Sequence, residues 1–141
     1  ELLLHYQPVV NAQSGQLVSC EALVRWNHPE QGLIYPDRFI PVAEETGLIV
    51  DMGRWIIKEA LQQLSLWRKS INDDLIMALN ISPQQLYDKH FMDFLDNICQ
   101  DYDIPPEQVE LEITETVLLK NTKTVLHNLS SLVARGYKIA F

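Results

Sequence analysis

The sequence predicts an α/β fold with a largely parallel sheet, and three observations support this prediction. The chain of 141 residues is 47% apolar and 21% charged, an ordinary globular composition that suffices for a core. Two strand-like stretches separated by a turn open the chain. The rest alternates apolar stripes at helical spacing with short apolar runs of strand length. Alternation of this kind is typical of a parallel sheet covered by helices.

The opening part of the chain predicts a hairpin followed by a loop. Residues 2–10 and 17–26 have the composition of strands, and residues 11–16 between them form a turn that contains Gly15. Residues 27–35 predict a loop, because histidine, proline and glycine interrupt the strand pattern there.

Two helices are predicted next. Pro36 suits the first turn of a short helix, and Gly47 suits its end. A longer helix is predicted from about residue 50 to residue 69. Its apolar residues recur at intervals of three and four: Met52, Trp55, Ile56, Ala60, Leu64 and Trp67.

The remainder predicts three strands separated by helices. The continuous apolar run at residues 75–81, the alternating residues 109–114 and the final residues 137–141 are predicted strands. A helix should begin at Ser82 and Pro83, which suit an N-cap and a first-turn proline. Further helical stripes consist of Phe91, Phe94, Leu95 and Ile98, and of Val125, Leu129, Leu132 and Val133.

The order strand, helix, strand, helix, strand after the hairpin predicts parallel pairing with right-handed crossovers. A (β/α)8 barrel needs roughly 250 residues, and about 200 at the low end. Five predicted strands in 141 residues therefore indicate an incomplete (β/α)8 barrel. An open doubly wound sheet is the structural alternative.

Charge and composition exclude several classes of function. The net charge of −8 opposes binding of polymeric nucleic acid over the whole surface. Cys20 and Cys99 have no partners at metal-ligand spacing, which favours buried reduced thiols over a zinc site or a disulfide. No apolar run approaches the roughly 20 residues that span a bilayer, and nothing resembles a signal peptide. We expect a cytoplasmic domain, with any membrane anchor of the parent protein outside this sequence.

Polar residues on the predicted strands are candidates for chemistry. The strand period of two places Glu21, Leu23 and Arg25 on one face, where the acid and the guanidinium could simply form a charge pair. Asn80 ends an apolar run and by itself fits a cap or turn residue. Glu112 lies near the end of the next strand and could be an ordinary charge at a strand-to-helix junction.

Taken together, these polar residues suggest a metal site. In a parallel barrel the carboxyl ends of the strands meet at one mouth, so polar residues from different strands converge there. Glu21, Asn80 and Glu112 would then form a set of hard oxygen ligands, which suits Mg²⁺ or Mn²⁺ better than zinc or copper. Acids at strand ends are common, so the spacing alone leaves this interpretation open.

Several stretches along the whole chain resemble the EAL domain family, the bacterial hydrolases of cyclic di-GMP. Each stretch is short, but they occur in order and at the spacing of the family. They are YQPVV at residues 6–10, EALVRWNHP at residues 21–29, GLI at residues 32–34, FIPVAEETGLI at residues 39–49, LNIS at residues 79–82 and EITET at residues 112–116.

The resemblance implies a TIM-like barrel whose first strand is antiparallel to the others, with a two-metal site that hydrolyses cyclic di-GMP to linear pGpG. Glu21, Asn80 and Glu112 match metal ligands of the family, and Arg25 matches a contact to a substrate phosphate. Glu115 matches the acid that holds the loop after the fifth strand, and we group it with the two ligand glutamates as catalytic.

The resemblance also implies a substrate groove, lined by the segments that contain Gln7, Leu23 and Pro41. In the family, an Asp-Asp-Phe-Gly segment follows the strand that starts at residue 138, and a lysine and further acids of the site come later. None of these is in the sequence, so we expect residues 1–141 to be the first part of an EAL domain and to be inactive alone.

The resemblance leaves three functions open for the chain. The first is part of an active metal-dependent phosphodiesterase, and the second is a receptor that binds cyclic di-GMP without hydrolysing it. The third is an inactive structural fragment. We further expect a homodimer or larger assembly, and sensory or GGDEF-type (diguanylate cyclase) modules elsewhere in the parent chain.

Overall fold

The computed structural model describes residues 1–115, 117 and 123–141. The strands are β1 (Leu2–Val10), β2 (Leu17–His28), β3 (Gly32–Ile34), β4 (Ile76–Ile81), β5 (Val109–Ile113) and β6 (Lys138–Ala140). The described helices are α1 (Pro36–Thr46), α2 (Ile49–Ser70), α3 (Pro83–Tyr87), α4 (Phe91–Asp101) and α5 (Lys123–Ala134), with a 3-10 turn at Pro106–Gln108.

The strands form one mixed six-stranded sheet in the order β1-β2-β4-β5-β6, with β3 paired to β2. β1 is antiparallel to β2, whereas β2, β4, β5 and β6 are parallel to one another. The predicted α/β class and the predicted antiparallel first strand are therefore confirmed. The parallel order also places the carboxyl ends of β2, β4 and β5 at the same edge of the sheet.

The region between β2 and α1 differs from its prediction as a loop. β2 continues to His28 and turns back into β3, so that Trp26 pairs with Ile34 and His28 pairs with Gly32. The His28 Nδ1 atom accepts hydrogen bonds from the backbone N–H groups of Glu30 (3.1 Å) and Gln31 (3.2 Å). The prediction missed β3 because its three residues are too short to show an alternating pattern.

The helix signals in the sequence correspond to observed ends. α1 begins at Pro36 and ends at Gly47, which has a φ of 79° in the left-handed region. The Gln85 side chain accepts a hydrogen bond from the Ser82 backbone N–H (2.9 Å), so the predicted start of α3 is confirmed. α3 and α4 are separate helices, and Arg54 of α2 forms a 2.7 Å ion pair with Asp88 between them.

The core lies between one face of the sheet and the helices. Fully buried side chains from α2 pack against alternate residues of the central strands, among them Leu61, Leu64, Met77, Leu79 and Leu111. Cys20 and Cys99 are buried and free, as predicted. The opposite sheet face carries the polar residues of the central strands, among them Glu21, Asn80 and Glu112. Within the described ranges, no helix is long and apolar enough to span a membrane.

Candidate functional site

Three of the predicted site residues lie side by side on neighbouring strands. Glu21 of β2 is half-buried, and Asn80 near the end of β4 is the register partner of Glu112 on β5. The Asn80 Nδ2 atom donates a hydrogen bond of 3.0 Å to Glu21 Oε2, across 59 residues of sequence. The parallel register thus brings the amide and the carboxylate near the ends of β4 and β5 together with the Glu21 carboxylate in the middle of β2.

The two carboxylates interact electrostatically. The pKa of Glu112 is raised, first because the group is partly buried and second because the negative charges of Glu21 and Glu110 lie nearby. A divalent cation between Glu21 and Glu112 would relieve this repulsion, and the Asn80 amide can supply a further neutral oxygen. The described residues contain no group of three or more His, Cys, Asp and Glu placed for a metal. A metal site at Glu21 and Glu112 would therefore need the Asn80 amide as its third ligand.

A cavity of about 530 Å³ lies next to this cluster, between the sheet edge and α1, α2 and the start of α3. Asn80 and Glu112 line it, together with Leu23 of β2 and Pro41 of α1. The predicted groove residues Leu23 and Pro41 therefore face the same space as two of the predicted metal ligands. A small molecule that entered the cavity would contact both sets.

Arg25 lies on the same strand face as Glu21, beside Val24, which lines the cavity. Its Nη1 atom donates a hydrogen bond of 2.8 Å to the Val24 carbonyl, and its guanidinium carbon lies 4.7 Å from the centre of the Tyr35 ring. The Nε atom is buried and has no hydrogen-bond partner among the described residues. An unpaired buried donor on a cation is costly, and an anionic ligand would satisfy it.

The two remaining predicted residues are less closely tied to the cluster. Gln7 is exposed on β1 and is the register partner of Glu21, so it lies on the same face. Glu115 is exposed just beyond β5, and several of the residues that follow it lie outside the described ranges. Its role in holding a loop stays a prediction.

The sequence reasoning missed a hydrogen-bonded link between α1 and the end of β4. The Ser82 Oγ atom donates a hydrogen bond of 2.7 Å to the Glu44 carboxylate. The Gln84 side chain donates one of 2.6 Å to the Glu44 backbone carbonyl. Glu44 and Ser82 both line the cavity. Both belong to stretches that resemble the family, and this was the available signal for their importance.

Two proteins similar to this chain are named for cyclic di-GMP chemistry. MucR of Pseudomonas aeruginosa, named a bifunctional diguanylate cyclase/cyclic di-GMP phosphodiesterase, is 39% identical over 140 residues, which are 99% of this chain and 20% of MucR. PdeR of Escherichia coli, named a cyclic di-GMP phosphodiesterase, is 39% identical over 140 residues, which are 99% of this chain and 21% of PdeR. The chain thus spans about a fifth of the length of these relatives.

Two solved structures also resemble this chain along nearly its whole length. The MucR phosphodiesterase in complex with c-di-GMP matches with a TM-score of 0.91 and 39% identity, over 98% of this chain and 56% of that chain. The EAL enzyme Bd1971, bound to cAMP and cyclic di-GMP, matches with a TM-score of 0.92 and 31% identity, over 99% of this chain and 39% of that chain. Because the sequence model of the EAL domain matches residues 1–141 throughout, the chain belongs to the EAL domain family.

Proposed function

We propose that this chain is the part of a cyclic di-GMP phosphodiesterase that supplies Glu21, Asn80 and Glu112 to the catalytic site. The observation that carries the proposal is the cluster of these three residues at the edge of the cavity, in a chain of this family. MucR and PdeR are named for hydrolysis of the same nucleotide, which supports cyclic di-GMP as the substrate.

The residues fit Mg²⁺ or Mn²⁺. Two carboxylates and an amide are hard oxygen donors, and the raised pKa of Glu112 marks a place where positive charge is favourable. Glu21, Asn80 and Glu112 would hold the ions. Two divalent ions held there would supply an activated water and positive charge to offset that of the phosphoryl oxygens. Hydrolysis of one phosphodiester bond by water would convert the cyclic dinucleotide to linear pGpG.

The other residues on this face would bind and orient the substrate. Arg25 would donate hydrogen bonds to a phosphate, using the Nε–H that has no partner among the described residues. Leu23 and Pro41 would provide apolar contacts within the cavity, and Gln7 would extend the polar edge on β1. Glu115 would hold a neighbouring loop, as the family resemblance implies.

The parent protein is proposed to be longer and modular. The relatives are about five times the length of this chain, and MucR is named for a diguanylate cyclase activity as well. We therefore propose that a GGDEF-type or sensory module accompanies this domain. The expected homodimer or larger assembly stays a prediction.

The proposal is tested by hydrolysis of cyclic di-GMP in the full-length parent protein, with Mg²⁺ or Mn²⁺. Glu21→Ala and Glu112→Ala should each lower kcat by at least about 100-fold, because each removes charge that the metal site needs. Glu45→Ala is the matched control, since Glu45 is an exposed acid of α1 outside the cluster. A Glu21 or Glu112 variant with near-parental turnover would remove that residue from the site.

A non-catalytic receptor is the second outcome that this experiment separates. A parent protein that binds cyclic di-GMP at equilibrium but shows no turnover with either metal would be a receptor, and the proposed hydrolysis would then be wrong.

A further inference from the structure

The side chain of Arg25 is fixed from two directions. Its Nη1 atom donates to the carbonyl of Val24, the preceding residue, at 2.8 Å. The ring of Tyr35 lies against the guanidinium, with 4.7 Å between the guanidinium carbon and the ring centre. This distance is within the range of a cation–π interaction. The two contacts together restrict the movement of the guanidinium.

One edge of the guanidinium has no hydrogen-bond partner among the described residues. Nη1 donates to the Val24 carbonyl, whereas Nε is buried and unpaired. Nε and Nη2 together form the side edge of a guanidinium, whose parallel N–H groups match the oxygens of a phosphate. The edge that Val24 and Tyr35 leave unpaired therefore has the donor geometry for bidentate phosphate binding.

We infer that Tyr35 is a positioning residue for phosphate recognition, because its ring packs against the Arg25 guanidinium and restricts it while the Nε edge has no partner among the described residues. This inference rests on the proposed function, since the phosphate belongs to the proposed substrate. A long arginine side chain otherwise loses rotational freedom when it binds. Tyr35 reduces that loss by ordering Arg25 before the ligand arrives.

The Tyr35 side chain is not needed for the fold. The residue is 54% exposed, and its backbone lies in the extended region (φ −87°, ψ 158°) that any residue adopts. It precedes Pro36 at the start of α1 and makes no side-chain cap to that helix. Replacing its side chain should therefore leave α1 and the core intact.

A second explanation for the exposed ring is that it stacks directly on a base of the ligand. The two roles differ in their dependence on Arg25. A positioning residue loses its effect once Arg25 is absent, whereas a stacking residue keeps it. Double-mutant cycles with Arg25→Ala distinguish the roles.

The experiment measures binding of cyclic di-GMP to the full-length parent protein at equilibrium, without divalent metal, alongside KM and kcat with metal. Tyr35→Leu should raise Kd and KM about two- to five-fold and leave kcat within about two-fold. Tyr35→Phe, which keeps the ring, should match the parent. Tyr87→Leu is the control for removing an exposed tyrosine elsewhere, since Tyr87 is 37% exposed at the end of α3.

The inference is supported if Tyr35→Leu weakens binding, Tyr35→Phe does not, and Tyr35→Leu adds nothing to Arg25→Ala. It is overturned if Tyr35→Leu binds like the parent, if Tyr35→Phe is equally impaired, or if the loss persists in the Arg25→Ala background. If the unaltered parent shows no turnover, only the proposed hydrolysis is contradicted, because the binding comparison does not depend on turnover. A parent that does not bind cyclic di-GMP would overturn both.

Discussion

At the scale of single residues, Asn80 sets the charge of the candidate metal site. Its side chain lies between two acids that already repel each other, as the raised pKa of Glu112 indicates. An amide can supply an oxygen to a cation without adding a third negative charge, and its nitrogen donates to Glu21.

This role gives a prediction for Asn80→Asp. The new carboxylate cannot donate to Glu21, and it adds a like charge next to Glu21 and Glu112. Because Asn80 is exposed and solvent screens the repulsion, we expect the free energy of unfolding in EDTA to fall by an amount on the order of 1 kcal/mol. Saturating Mg²⁺ should raise the Tm of the variant more than that of the parent.

Differential scanning fluorimetry of the full-length parent protein with EDTA and with Mg²⁺ measures this effect. Asn97→Asp is a control, because Asn97 lies on α4, outside the cavity and the cluster. An equal response of Asn80→Asp and the parent to Mg²⁺ would contradict a metal site at these three residues.

At the scale of elements, the contact between α2 and α3 depends on a glycine. Gly53 lies in the interior of α2, where glycine costs about 1 kcal/mol relative to alanine. A Cβ atom at this position would clash with Nε2 of Gln85, whose side chain is buried and also accepts from Ser82. The glycine permits the close approach that keeps the start of α3, and with it the end of β4, in place.

Gly53→Ala should therefore destabilise the domain despite the better helix propensity of alanine. We expect a net loss of about 1–3 kcal/mol in the free energy of unfolding, because the buried Gln85 amide must move and lose its bond to Ser82. Chemical denaturation of the parent protein, followed through this domain, provides the measurement.

Two further variants make the comparison specific. Gln62→Ala is the control, since Gln62 is exposed on the same helix and alanine should be nearly neutral there. Gly53→Ala combined with Gln85→Ala should be more stable than the sum of the two single effects, because the second change removes the atoms that clash. Strict additivity would show that the contact with Gln85 is not the cause.

At the scale of the whole molecule, the sequence predicted what depends on local pattern. Hydrophobic period and turn residues predicted the hairpin, α1, α2 and the parallel strands, and the family stretches pointed to Glu21, Asn80 and Glu112. The alternation along residues 17–26 also predicted that Glu21, Leu23 and Arg25 share one face of β2, and the alternating burial of the strand confirms it. These features depend on residues that are close in sequence or on a known resemblance.

Contacts between distant side chains could not be predicted in the same way. The bond between Ser82 and Glu44, the ring of Tyr35 on Arg25 and the approach of Gln85 to Gly53 have no local signature. Each arises from how α1 and the start of α3 are placed against the sheet. Tertiary geometry determines these contacts, and a single sequence does not encode it in any short pattern.

The mixed character of the sheet has a kinetic consequence. β1 and β2 pair through a short turn, whereas β2 pairs with β4 only after α2 has crossed the sheet, so that the bond from Asn80 to Glu21 spans 59 residues. Local pairings close faster than distant ones.

We expect Leu4→Ala in the hairpin to slow folding and Leu111→Ala on β5 mainly to speed unfolding, in stopped-flow measurements. Equal φ-values at both positions would contradict this order. In this order Glu21 is in place once the hairpin forms, but Asn80 and Glu112 join it only when β4 and β5 pair. Ligand binding would therefore report the completion of folding rather than its beginning.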